Sequence, residues 1–336
     1  MASRTLRAAI VGASTLLGRE LAEQLNEAAA AVWDISLLDN EDAIGQMTVA
    51  GDEPLVIQPL TPGAFARMDI VFFAGDADTV RAHWREAQSS GAGVVDMTGT
   101  LAAEAGTALL APEVGASGVD LATTVVVPAH AAAVMLAVVA VRLKQRFGAV
   151  RLAATVMEPA SEQGKAGLDE LHQQTVGLLS FQAVPKDVYD TQVAFNLTPG
   201  LGQDAKASVV KTAQRIGRDF ARIAAGCELA LQVVHAPVFN GYTASAFVAL
   251  RDTVTEDEVR GALGGGVVEL VVSEDEGPSN LSASAQKQLL VSARADVAVA
   301  GGFWVWMAAD NLLFAAQNAI ACAMELARLR PAGKVQ

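Results

Sequence analysis

The sequence predicts an α/β chain in two parts, a doubly wound parallel sheet followed by an α+β domain. Three observations predict it. Leu6 to Val11 is an apolar strand that runs into a glycine turn, Gly12 to Gly18, which opens a helix carrying Leu17, Leu21 and Leu25 on one face. Short apolar strands then alternate with helices as far as Asp96. Beyond Gly148 the β segments lengthen, at Arg151 to Val156, Leu229 to Val234, Ser245 to Leu250 and Val267 to Val272. A chain of 336 residues is long enough for two cores. The expected division is 1–128 with 309–336 for the first domain and 129–308 for the second.

In chain order, the glycine turn between first strand and first helix is the dinucleotide-binding arrangement, in which helix-end amides meet a pyrophosphate. It makes the first domain Rossmann-type and makes Gly12, Ser14, Thr15 and Gly18 candidate contacts. Thr15 stands where a G-x-x-G-x-x-G turn has its second glycine, and its Cβ would crowd a backbone approach. Ile35 to Leu38 reads as the second strand and ends in Asp39, Asn40, Glu41 and Asp42. An acid there can accept from the ribose hydroxyls of NAD, whereas three carboxylates repel the extra phosphate of NADP. A solvated acidic loop is the competing reading. NAD or NADP binding is therefore expected to be weak or absent, with NAD the less disfavoured.

Ile70 to Ala74 is a strand, Thr79 to Gln88 a helix, and Gly93 to Asp96 another strand. Thr123 to Val127 is a β-branched run that meets Pro128, which is excluded from the middle of a central strand, and an Ala/Val/Leu/Met-rich helix follows to Gly148. A strand, turn and helix of this kind lifts one side chain out at a helix N-terminus, where the dipole favours a thiolate. Here the turn reads Pro128, Ala129, His130, Ala131, so the place for a nucleophile has none. Further helices are expected at Gly167 to Leu179, Ser208 to Ala225 and Asp257 to Leu263. A last helix, Asp310 to Leu329, carries Leu312, Ala316, Ile320 and Met324 near one stripe and is expected to return to the first domain.

A net charge of −13 and a pI near 4.8 argue against a nucleic-acid partner. The apolar run Val125 to Val141 falls short of the ~20 residues of a membrane span and reads as a core helix. Cys227 and Cys322 lie far apart, outside any zinc or CxxC spacing, and are expected to be reduced and buried in a cytoplasmic protein without a signal peptide. His83 and His172 read as solvated, and Trp304 and Trp306 as core or subunit-interface packing.

Several stretches together resemble the aspartate-semialdehyde dehydrogenase family: AIVGASTLLGRELAEQL, VVDMTGTLA with APEV, the PAH turn and its helix, SEQGKAGLDEL, VAFNL, HAPVFNGYTASAF and FWVWMAADNL. The APVFNGY, SEQGKAG and AFNL segments look most like the Usg-type paralogues, which are regarded as lacking the dehydrogenase activity. The resemblance implies reduction of aspartyl phosphate with NADPH through a Cys thioester, a Gln that orients the site, an Arg that clamps the substrate carboxylate and a His acid/base. It also implies homodimers formed through the second domain.

Carried over position by position, the family's Cys falls at His130, its Gln at Glu158, its Arg at His235 and its His at Tyr242. In the phosphate site an Arg falls at Ala102 and a Glu-x-x-Lys pair at Ser208 and Lys211, of which only the lysine remains. Imidazole cannot carry a stable thioester, and a tyrosine of pKa near ~10 shuttles protons poorly at neutral pH. Glu158 adds a negative charge beside an anionic substrate, and His235 lacks the bidentate grip of Arg. His130, His235 and Glu158 would allow a metal site or a new acid/base pair, but they come from different segments and no metal is expected. The preferred expectation is a non-catalytic homologue with a ligand-binding or interaction role. The alternatives are an active, NADP-dependent oxidoreductase or a different chemistry using His130 and Glu158.

Overall fold

The computed structural model describes residues 5–28, 31–40, 43–45, 47–50, 53–115, 118–120, 122–272 and 276–329. The chain divides into two units, Met1–Ala129 with Ala315–Gln336, and His130–Phe314. The first holds β1 (Thr5–Val11), α1 (Leu16–Glu27), β2 (Val32–Asp39), β3 (Met47–Ala50), β4 (Glu53–Val56), β5 (Gln58–Pro59), β6 (Ile70–Phe73), α2 (Ala77–Ser89), β7 (Gly93–Asp96), β8 (Thr107–Leu110) and β9 (Val125–Pro128). Seven of these strands form one sheet in the order β5-β2-β1-β6-β7-β9-β8, with every pair parallel.

Such a sheet must be covered on both faces, and β1 shows how the sequence does it. Ala8 and Ile10 join Leu21 and Leu25 of α1 in one core; Ala9 and Val11 join Val80, Trp84 and Ala87 of α2 in the other. This is the two-residue alternation of a strand acting on each side of the sheet. Strand order reverses at β1, which puts the glycine turn at the topological switch point, the usual place for a ligand in such sheets.

The second unit holds α3 (Ala131–Phe147), β10 (Val150–Glu158), α4 (Gly164–Leu179), α5 (Val209–Ile223), β11 (Cys227–His235), β12 (Tyr242–Ala249), α6 (Glu256–Leu263), β13 (Val268–Leu270), β14 (Leu289–Ala295) and β15 (Gly302–Ala309). Its mixed sheet runs β11-β10-β12-β15-β14-β13. Val150, Leu152, Ala154, Val156 and Glu158 face the covered side of β10; Arg151, Ala153, Thr155 and Met157 alternate toward the other. Helix α3 is buried along Ala131–Ala140, as an Ala- and Val-rich helix packed on a sheet must be.

The opposite face of this sheet is open. Trp304 on β15 is 47 % exposed and packs its ring 5.2 Å from Phe247. Ser245, Ser292, Arg294, Trp304 and Trp306 line a hollow of about 410 Å³ there. Val267 to Val272 shrinks to the three residues of β13 at the sheet edge, leaving Val272 exposed.

Helix α7 (Asn311–Leu329) is apolar and long enough to cross a membrane by length and composition, but Ala316, Ala319, Cys322, Ala323 and Leu326 sit in the core of the first unit. Its buried face is therefore offset from the expected stripe, since Leu312, Ile320 and Met324 are only half-buried. Cys227 corrects another expectation. It opens edge strand β11 and is half-buried, whereas Cys322 is fully enclosed. His83 is half-buried near Glu86 rather than fully solvated. The hairpin β3–β4 and strands β5, β8 and β14 had no sequence signal strong enough to place them.

Candidate functional site

The glycine turn of the first unit is built by three residues. Gly12 has φ +85°, and a Cβ there would lie 2.4 Å from Gly75 Cα; a Cβ on Gly18 would lie 2.2 Å from Gly12 O. Thr15 caps α1: its hydroxyl accepts from Gly18 N (2.9 Å) and donates toward Gly12 O (2.8 Å) and Ala74 O (3.0 Å). So Thr15 does more than crowd the turn; it ties it to the end of β6. Asp39, 8 % exposed, accepts from Ser14 N at 2.7 Å and Asn40 N at 2.8 Å. Asp39 is thus a fixed anion at the turn rather than part of a solvated loop; Glu41 and Asp42 lie outside the described residues. The Asp39 carboxylate sits at the end of β2 beside the turn, with both oxygens taken by backbone amides. Ala102 is half-buried against the apolar core behind α2.

In the second unit the strand ends carry polar residues. Glu158 and His235 are register partners on parallel β10 and β11, and the antiparallel pairing of Met157 with Thr243 puts Tyr242 opposite Glu158 on β12. Register partners point to the same face of a sheet, so His235, Glu158 and Tyr242 form a row across three strands. All three are fully buried. The row caps the aliphatic core on the side covered by α3.

His130 N-caps α3, its Nδ1 accepting from Ala132 N at 3.2 Å. That fixes the proton on Nε2, which donates to Glu162 Oε1 at 3.1 Å. Its backbone N–H goes to Asp219 Oδ2 at 3.0 Å, and its ring lies 5.7 Å from that of Tyr242. Both ring nitrogens are spoken for, so this imidazole has no lone pair left for a base or nucleophile. Glu162, on the short 3-10 turn Ala160–Gln163, was not picked out from the sequence. Burial pushes its carboxyl up, but His130, whose ring N–H it accepts, the Arg215 charge and the Tyr242 hydroxyl outweigh that and hold it below the ordinary range.

Glu158 behaves in the opposite way. Burial, then the Glu162 charge, pushes its carboxyl up to about 7. Oε1 accepts from Gln163 Nε2 at 3.0 Å, while Oε2 has no well-placed partner, the nearby Thr212 hydroxyl being directed to Ser208 O. Burial pushes His235 down to about 4, and neither of its ring nitrogens has a partner. Its ring lies 4.7 Å from that of Tyr189. The Tyr189 hydroxyl is likewise buried and unpartnered, and that of Tyr242 has only the Glu162 carboxylate within reach; both phenols are raised, first by burial and then by neighbouring carboxylates.

The surrounding elements hold these groups in place. Glu170 and Gln174 of α4 clamp the loop that carries Tyr189: Glu170 accepts from Val188 N (2.6 Å) and Tyr189 N (3.2 Å), and Gln174 from Val193 N (2.7 Å). Asn311 Oδ1 accepts from Ser161 Oγ and Gly241 N, tethering the 3-10 turn and the start of β12. Tyr189 gave no sequence signal, because a loop residue has no period to read; Glu162 was legible only as the charge four residues after Glu158. Ser208 caps α5, and Lys211 is exposed one turn on. Among the described residues no set of three or more His, Cys, Asp or Glu side chains is placed to hold a metal.

Two family models match the chain: "Semialdehyde dehydrogenase, NAD binding domain" over residues 7–122 and "Semialdehyde dehydrogenase, dimerisation domain" over residues 142–314. Aspartate-semialdehyde dehydrogenase of Bacillus subtilis is 22% identical, covering 97% of this chain and 99% of its own. The USG-1 protein homolog of Azotobacter vinelandii is 26% identical, covering 90% of this chain and 92% of its own. Among solved structures, aspartate semialdehyde dehydrogenase II of Vibrio cholerae complexed with ASA has a TM-score of 0.86 at 24% identity, covering 97% of this chain and 99% of its own. A probable aspartate-semialdehyde dehydrogenase of Pseudomonas aeruginosa reaches 0.86 at 26%, covering 96% and 98%.

Proposed function

We propose, from the premise that the chain belongs to the semialdehyde dehydrogenase family, that it is a non-catalytic member with a ligand-binding or interaction role. One observation carries this. At the N-terminus of α3, where a family thiol would stand, His130 has one ring nitrogen capping the helix and the other bound to Glu162. An acyl-enzyme needs a free nucleophile at that point, and a histidine committed on both sides is not one. Glu158, His235 and Tyr242 add the loss of the orienting amide, the carboxylate clamp and the proton shuttle. Incubation with the semialdehyde, phosphate and either dinucleotide, followed by intact-mass spectrometry, is expected to show no covalent adduct and no oxidation above a heat-killed control. An adduct on His130, or turnover, would refute the reading in favour of an active, altered oxidoreductase.

The second unit matches a dimerisation domain, and we propose that its open face pairs two copies in the cytoplasm. Support comes from the exposed Trp304 and the Phe247 beside it on a sheet face that is otherwise uncovered. A stable interface of this kind buries more than roughly 2,000 Å². Sedimentation at micromolar concentration should give about twice the chain mass of 34.7 kDa. A single monomeric species would remove the proposal. Dinucleotide binding, if retained, would run through the glycine turn and favour NAD, because Asp39 opposes a 2′-phosphate. Equilibrium titration of NAD and NADP tests this, and tighter NADP binding would contradict it.

A further inference from the structure

We propose that the buried row Glu158, His235 and Tyr242, with Tyr189 beside it, is a binding site for a small organic ammonium ligand, with Glu158 as its counter-ion. This rests on the reading that the site no longer performs acyl transfer. Its first support is the set of unpartnered groups. Glu158 Oε2, both nitrogens of His235 and the Tyr189 hydroxyl are buried without a hydrogen bond, and the Tyr242 hydroxyl has only the Glu162 carboxylate within reach. Native proteins leave few such groups, and those that persist are usually completed by water or a ligand. Here they sit on β10, β11, β12 and a clamped loop, all at one end of one sheet.

The charge balance selects the class of ligand. Glu162 on the 3-10 turn, His235 on β11, Tyr242 on β12 and Tyr189 on its loop are neighbours of Glu158, and the charged or titratable groups next to Glu162 are His130 at the start of α3 and Arg215 on α5, the latter paired with Asp219. Neither His130 nor Arg215 supplies Glu158 with a counter-ion: the neutral His130 ring donates to Glu162 at 3.1 Å, and Arg215 acts on Asp219 at 3.9 Å and on Glu162. Imidazole His235 stays neutral down to about pH 4. An anion would meet the Glu158 carboxylate, on which no cation acts, since Arg215 is engaged with Glu162 and Asp219. A neutral alcohol would satisfy a hydroxyl and leave the carboxylate uncompensated. An ammonium brings three donors and no acceptor, and Oε2 and the two phenol oxygens are acceptors. Tyrosine faces add a further attraction for a cation. Gln163, which holds Oε1 and is itself half-buried, places the row one side chain beneath the surface.

The test uses three small probes on the full chain, 1-propylammonium, 1-butanol and butyrate, titrated by calorimetry at pH 8 and pH 6. Saturable binding of propylammonium at least tenfold tighter than either other probe is expected. Because the Glu158 carboxyl titrates at about 7, its ionised fraction and hence the affinity should fall about tenfold between pH 8 and pH 6. Glu158→Gln should abolish the preference for the ammonium. Tyr242→Phe, which keeps the ring and removes only the hydroxyl, should weaken it about fivefold and serves if Glu158→Gln fails to fold. Equal affinity for all three probes, tighter binding of butyrate, or no saturable ammonium binding at 100-fold excess would each overturn the proposal. The covalent-adduct measurement on the same protein is a separate readout, so loss of the non-catalytic reading and loss of ammonium binding are told apart.

Discussion

The glycine turn of the first unit and the strand-end row of the second are both places where the chain departs from the pattern its relatives imply, and they absorb the departure differently. At the turn every polar substitute is satisfied. Thr15 bonds to three backbone groups, and both oxygens of Asp39 accept amides. In the row four side-chain atoms on three residues have no partner, and the Tyr242 hydroxyl has only Glu162. An unsatisfied buried polar atom costs about 1–3 kcal/mol. A fold that merely kept its shape would be more stable with apolar groups at these positions. The difference teaches that the turn has been consolidated as scaffold, while the row still has something to bind.

The largest effect that would sharpen this contrast is on the turn. Gly12→Ala forces a side chain to φ +85° and 2.4 Å from Gly75 Cα. A loss of about 3 kcal/mol or more is expected, read from urea denaturation. Gly91→Ala also has a positive φ but meets nothing within 4 Å, so it should cost only about 1 kcal/mol. Equal losses would show that conformation alone, without packing at the turn, sets the cost.

The next concerns the row, where two groups titrate against each other. Glu158 is raised to about 7 from 4.5, so between those values the native state keeps a proton that the unfolded chain has lost, and stability falls as pH rises. His235 is lowered to about 4 from 6.5, so over that range the unfolded chain binds a proton that the native state refuses, and stability falls as pH drops. Each effect has a full scale of roughly 3 kcal/mol, and between about pH 4.5 and 6.5 the two slopes oppose and largely cancel. Glu158→Gln should therefore make stability climb from pH 4.5 to 6.5 relative to wild type, and His235→Phe should make it fall. Parallel profiles for wild type and both variants would mean the row is solvated and the contrast with the turn is lost.

Much of this was legible in the chain. The strands at Leu6 and Gly93, the helix after Pro128 and the β-rich second half follow from apolar period and glycine placement, because burial on one or both faces leaves that imprint. The short strand β5 left none, since two residues at a sheet edge have no period, and β13 was drawn too long, as Val267 to Val272. Site residues named from the resemblance, His130, Glu158, His235 and Tyr242, lie together in the second unit, and their chemical poverty could be stated from residue type alone. What sequence could not give was the pairing. Thr15 looked like a steric defect because its hydroxyl bonds join residues 12, 18 and 74. Glu162 and Tyr189 were silent because their partners are set by tertiary contacts from other segments.

Thr15 also supplies the smallest effect and the most direct check on the scaffold reading. If its hydroxyl is what replaces the missing glycine, then keeping the hydroxyl while removing the methyl should be nearly free. Thr15→Ser is expected within about 0.5 kcal/mol of wild type, because serine is as good an N-cap as threonine. Thr15→Val keeps the branched shape and loses the cap to Gly18 N and the bonds toward Gly12 O and Ala74 O. It should cost about 1–2 kcal/mol. Thr15→Gly should fall between them, since glycine caps tolerably but leaves the two carbonyls to water. A Val variant as stable as the Ser variant would show that packing of the side chain, rather than its hydroxyl, holds the turn, and the first unit would then no longer differ from the second in the way its polar groups are met.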